Sequence, residues 1–131
     1  MAVGTVTLTQ AKVGNIRKVI ATIVASATDG SVPDTVLPAF EGTLLALATT
    51  PGATQPTASY GVTVVDQYGH DVLEGVGAAR SASAAQKAPV LYSGTGTHPP
   101  VDDADALTLK VGSNSVNSAN IVVALYYRLG G

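Results

Sequence analysis

The chain has no cysteine, which excludes disulfide staples and thiolate metal sites and fits a reducing compartment. It has no tryptophan, one phenylalanine and five tyrosines, so few rings are available for stacking on sugars. Charge is scarce as well: Asp, Glu, Lys and Arg make up 12% of the residues, about half the ~25% usual for a soluble domain. The net charge is −2, from seven basic and nine acidic residues. The basic residues Lys12, Arg17, Lys18, Arg80, Lys87, Lys110 and Arg128 are scattered along the sequence, which gives no electrostatic footprint for nucleic acid. Long hydrophobic runs are missing too. The longest, Val19 to Ala27, is broken by Thr22 and Ser26 and is too short to cross a bilayer. Met1 to Thr5 lacks the charged and apolar regions of a signal peptide. These absences point to a soluble protein with no nucleic-acid or membrane partner. Low charge density on a Thr-, Ser-, Gly- and Ala-rich chain suits a subunit that hides much of its exterior in an assembly.

What the sequence does contain is a succession of short β-branched segments separated by Gly, Pro, Asn, Asp and Ser. With 131 residues and no compositional break, a single domain over 1–131 is expected. Thr5 to Thr9 alternates at period two, placing Val6 and Leu8 on one face and three threonines on the other. In Ile16 to Ser26, Ile16, Ile20 and Val24 share a face with Lys18 and Thr22, while Val19 and Ile23 occupy the opposite one. Apolar residues on both faces predict a strand between layers or against a neighbouring subunit. Thr28 to Asp34 is rich in turn formers, and Leu37 to Phe40 should anchor the following loop on the core.

Gly42 to Thr49 reads as a strand with a helix as the alternative, because of its Leu and Ala content, and Thr50-Pro51-Gly52 ends either. Tyr60 to Asp66, Val90 to Tyr92, Leu107 to Val111 and Asn120 to Arg128 complete the strand pattern. In the last of these, Ile121, Val123, Leu125 and Tyr127 face one way and Val122, Ala124 and Tyr126 the other. Val76 to Ala88 is open between helix and small-residue loop. About eight strands without βαβ alternation predict an all-β fold, an antiparallel β-sandwich or jelly roll.

The stretch DQYGHDVLEG, Asp66 to Gly75, concentrates two Asp, one Glu, one His and one Tyr. A calcium loop needs oxygen ligands at alternate positions, but here Tyr68 and His70 follow Asp66. Zinc needs further His or Cys ligands, and only His98 remains. The same residues read easily as a turn, with Gly69 free to take positive φ. Asp102, Asp103 and Asp105, preceded by His98-Pro99-Pro100, read as a solvated loop rather than a metal site. Gly94-Thr95-Gly96-Thr97 lacks the Lys and the helix of a phosphate loop, and no serine sits in a nucleophile elbow. No catalytic residue, metal or cofactor is therefore expected. Of Tyr126 and Tyr127, one should be core and the other a contact with another subunit.

From Ala27 to Arg80 the order of several short patterns is distinctive: a D-G turn, L-P-A-F-x-G, T-x-P-G, P-T-x-x-Y and D-x-x-G-x-D-V-L-x-G. This segment resembles small virion structural proteins of tailed bacteriophages. The resemblance implies a non-enzymatic role in the virion, assembled in the bacterial cytoplasm. The expected role is a head decoration, or cement, protein that binds the major capsid protein and its own copies as a dimer or trimer. A neck, collar or tail component is the alternative, and a carbohydrate- or receptor-binding spike module is a further one. The expected contact residues are Asp29, Asp34, Tyr92, His98, Asp102, Asp103 and Tyr126, on the 29–34 and 93–105 loops and around the tyrosines.

Overall fold

A computed structural model describes residues 4–14, 16–37, 42–66, 69–73, 75–78, 80–89, 100–101, 107–112 and 114–128. Among these residues there are nine strands and no helix. They are β1 (Thr5–Val13), β2 (Ile16–Val24), β3 (Thr35–Val36), β4 (Gly42–Pro51), β5 (Gly61–Val65), β6 (Gln86–Pro89), β7 (Pro100–Val101), β8 (Thr108–Gly112) and β9 (Asn120–Arg128). Every pairing is antiparallel. The larger sheet has the order β1-β2-β9-β4-β6, with β7 also on β4, and the smaller sheet has the order β3-β8-β5. The fold is all-β and sandwich-like, as the alternating pattern predicts.

Alternation decides which side chains meet between the sheets. The larger sheet contributes Val19, Ala21 and Ile23 from β2, Leu44 and Leu47 from β4, and Ile121, Val123, Leu125 and Tyr127 from β9. The smaller sheet contributes Val62, Val64 and Leu109, and Leu37, Tyr60, Leu73 and Leu107 fill in from its flanks. Val6 and Leu8 pack at the margin of this cluster, while Thr5, Thr7 and Thr9 are exposed. Fully burying each large aliphatic side chain stabilises the fold by about 1.5–3 kcal/mol.

The pairing of β4 with β9 shifts register between Leu44 and Ala46. This bulge lets Leu44 and Leu47, three positions apart, both point inward; both are fully buried. The helix that the Leu and Ala content of this segment left as an alternative does not form. β4 also runs through Thr50 to Pro51 before it ends.

The helix alternative for Val76 to Ala88 falls. Residues 75–78 form a turn, Arg80 bridges to Tyr60, and Gln86–Pro89 pairs with β4. The segment has no large apolar stripe to bury as a helix, whereas the free edge of β4 offers backbone partners. Leu37 is buried, as the anchoring role requires, but Pro38 to Phe40 and Val90 to Tyr92 lie outside the described residues.

Candidate functional site

The two sheets are unequal, and a three-stranded sheet packs on only one face of the larger one. The opposite, outer face carries Ile16, Lys18, Ile20, Thr22 and Val24 from β2. In register with them are Val122, Ala124, Tyr126 and Arg128 from β9. Ala46 and Ala48 of β4 continue the same rows. Ile16 and Val24 are 39% and 38% exposed. Thr22 on this face is exposed and Ile20, Val122 and Tyr126 are only partly buried, and none of these positions is acidic. It is a plane of small and β-branched side chains.

Tyr126 is half-buried at the centre of one end of this plane. Lys18, its cross-strand partner, places Nζ 5.4 Å from the ring centroid, and Lys87 of β6 places Nζ at 4.2 Å. Each cation contributes roughly 0.5–1 kcal/mol over an exposed ring. Tyr127 is buried on the inner face. Loss of solvation raises its pKa, and the positive charge of Arg17 beside it acts in the opposite sense.

Of the other expected contact residues, Asp29 and Asp34 do not converge with Tyr126. Asp29 accepts hydrogen bonds from the Ser31 N–H (3.0 Å) and Oγ–H (2.7 Å), and these bonds hold its pKa below the ordinary aspartate value. It fastens the β2–β3 connection. Asp34 is exposed and 3.8 Å from Lys110 Nζ. Tyr92, His98, Asp102 and Asp103 lie outside the described residues.

The DQYGHDVLEG stretch is a structural turn. Gly69 has φ +84°, its N–H donates to Asp66 O, and Asp66 N–H donates to His70 O. The Asp71 carboxylate accepts from the N–H groups of Val64 (3.3 Å), Leu73 (3.0 Å) and Gly75 (3.1 Å). Asp66 accepts from the N–H of His70 at 3.0 Å and lies 3.7 Å from its ring. Both carboxylates serve the backbone. Asp71 returns by an isolated bridge to Val65 rather than by a regular strand, and Leu73 then turns into the core. Among the described residues no three His, Asp or Glu side chains come together in a metal-binding group.

Two features are not readable from the order of residues. First, Arg80 is buried between the sheets, where Nε donates to Thr49 Oγ1 (3.0 Å) and Nη1 to Val76 O (2.9 Å). Tyr60 is buried nearby, and desolvation raises its pKa. Second, the basic residues are not scattered in space. The β1–β2 register sets Lys12 opposite Arg17, and the β2–β9 register sets Arg17 opposite Tyr127 and Ile16 opposite Arg128. Lys12, Arg17, Lys18 and Arg128, four of the seven basic residues, therefore gather at one end of the larger sheet. Antiparallel pairing brings together residues that are far apart in sequence.

No helix among the described residues is long and apolar enough to cross a membrane. Comparison with protein families, with curated proteins and with solved structures returns no match.

Proposed function

We propose that this chain is a non-enzymatic structural protein of a tailed-bacteriophage particle, serving as a capsid decoration protein. Its copies bind the outer head surface and hold neighbouring capsomers together. The observation that carries this reading is the partly exposed, acid-free outer face that the described residues of the six-stranded sheet present. The likeness of residues 27–80 to small virion proteins gives the face its context.

Size decides what could cover it. The four strands of nine or ten residues rise about 30 Å and side by side span about 14 Å, from ~3.3 Å per residue and ~4.8 Å per strand. The product, roughly 400 Å², is about half the ~800 Å² per partner of a standard protein–protein interface. A small ligand would leave most of such a plane in water. Repeated by capsid symmetry, modest contacts of this size add up through avidity rather than through one tight interface.

Cryo-electron microscopy of the intact particle tests the proposal by giving location, copy number and symmetry together. Hundreds of copies on the outer head, with the β2–β9 face against capsid or a sister copy, is the expected result. Tens of copies at the portal end would move the chain to the neck, and absence from purified particles would overturn a virion role. Val122→Glu, in the middle of the face, should leave the domain folded but remove it from particles.

A further inference from the structure

At the strand ends where the basic residues gather, a cleft of about 310 Å³ opens on the inner side of the larger sheet, lined by Gln10, Ala11, Lys12, Arg17 and Tyr127. It is separate from the outer face and does not depend on the proposed role in a virion. Three features make it unusual. Lys12 and Arg17 are directly opposite one another across β1 and β2, an arrangement in which like charges destabilise a sheet. Arg17 Nε is buried and has no hydrogen-bond partner among the described residues. Neither cation has a carboxylate partner among the described residues, whose ion pairs are His70–Asp66 and Lys110–Asp34.

A buried guanidinium nitrogen without an acceptor is costly, and two cations facing each other with no described carboxylate beside them add to the cost. Violations of local rules of this kind are expected at functional sites. The chemistry of the cleft specifies that group. Lys12 supplies an ammonium, Arg17 a planar fork of donors and Gln10 an amide, and none of the described residues lining the wall is acidic. We infer that the cleft formed by Gln10, Lys12, Arg17 and Tyr127 is an oxyanion-binding site, built to take one carboxylate or phosphate group between the two cations.

A free anion and one carried on a partner share this recognition chemistry. The test is an NMR titration of the ¹⁵N-labelled chain at low ionic strength with inorganic phosphate and, separately, with acetate. Sodium chloride at matched ionic strength is the control. Saturable shifts at the amides of Gln10, Lys12, Arg17 and Tyr127 are expected, with a Kd on the order of 1–10 mM for a few charge-assisted bonds. Arg17→Gln should weaken binding at least about tenfold, and Arg17→Lys by less than that, since it keeps the charge but loses the fork. Lys12→Gln should weaken it several-fold, and Lys110→Gln should leave it unchanged. Lys12 is exposed on an edge strand, so Lys12→Gln decides the matter if Arg17→Gln fails to fold. Saturation by both anions assigns the cleft to oxyanions generally, a partner's carboxylate included; saturation by phosphate alone assigns it to a phosphate group. Shifts that chloride reproduces, that do not saturate, or that survive Lys12→Gln undiminished would overturn the inference.

Discussion

Gly77→Ala probes how the turn after DQYGHDVLEG is docked. Gly77 is buried against β5, where its carbonyl accepts the Val62 N–H at 2.8 Å. A Cβ added there would lie 1.9 Å from Val62 O and 2.8 Å from Val62 C. An unstrained carbon–oxygen contact needs about 3.3 Å, so the two backbones must part by more than an ångström. Both groups are main chain, and no side-chain rotation relieves the overlap. Separation breaks the Val62–Gly77 bond, worth about 1 kcal/mol, and overpacking of this kind costs a further 1–3 kcal/mol. Reduced freedom of the unfolded alanine chain returns about 0.4–1 kcal/mol. The net destabilisation is about 2–3 kcal/mol, or a fall in Tm of about 10 °C for a chain of this length.

Urea and thermal unfolding followed by circular dichroism measure this directly. Gly61→Ala is the matched control, because Gly61 lies on β5 next to Val62, has no positive φ, and its added Cβ meets nothing within 4 Å. That variant should be neutral or slightly stabilising. Equal stabilities for Gly77→Ala and Gly61→Ala would refute the docking of residues 75–80 on β5, and with it the placement of Arg80 in the core.

Three other outcomes follow from particular contacts. Arg80→Ala removes the donors to Thr49 and Val76 and opens a cavity between the sheets, so it should cost about 3–5 kcal/mol in urea unfolding. Asp71→Ala leaves the N–H groups of Val64, Leu73 and Gly75 without their carboxylate and should cost about 2–3 kcal/mol. Asp71→Asn, which keeps one oxygen acceptor, should cost less; a neutral Asp71→Ala would refute the turn-holding role. Burial raises the folded pKa of Tyr60 and Tyr127, so each resists ionisation until the chain unfolds. Their contribution is complete below the unfolded tyrosine pKa and is lost as pH rises above it, so alkaline unfolding should coincide with a late step in tyrosinate absorbance.

The strand pattern was legible because each β-strand alternates about a single buried face, and β9 is the clearest case. Its inward set of Ile121, Val123, Leu125 and Tyr127 is buried throughout. What was not legible depended on pairing. A bulge at Leu44–Ala46 makes a strand imitate helical spacing, and no residue type announces it. Lys12, Arg17, Lys18 and Arg128 look dispersed until the register of three strands gathers them at one end of the larger sheet, Lys12 and Arg17 on its inner face and Lys18 and Arg128 on its outer one. Arg80 reads only as one of the scattered cations, because nothing in its neighbours reveals that Thr49 waits across the sandwich. Asp29 reads as a contact residue of a polar loop, and the structure adds that its carboxylate holds Ser31.

The same distinction separates the carboxylates of the reactive-looking stretch from the cations at the end of the larger sheet. A carboxylate close in sequence to several free N–H groups meets them as soon as the chain turns, so Asp66 and Asp71 are satisfied locally. Lys12 and Arg17 face each other because the register that packs Leu8 and Val19 against the core requires it, and no described acid stands beside them. Local contacts satisfy a polar group as soon as the chain turns; long-range pairing places one by the demands of the apolar residues around it. In a chain with so little charge, cations set together by the hydrophobic register are the place to test for recognition by charge.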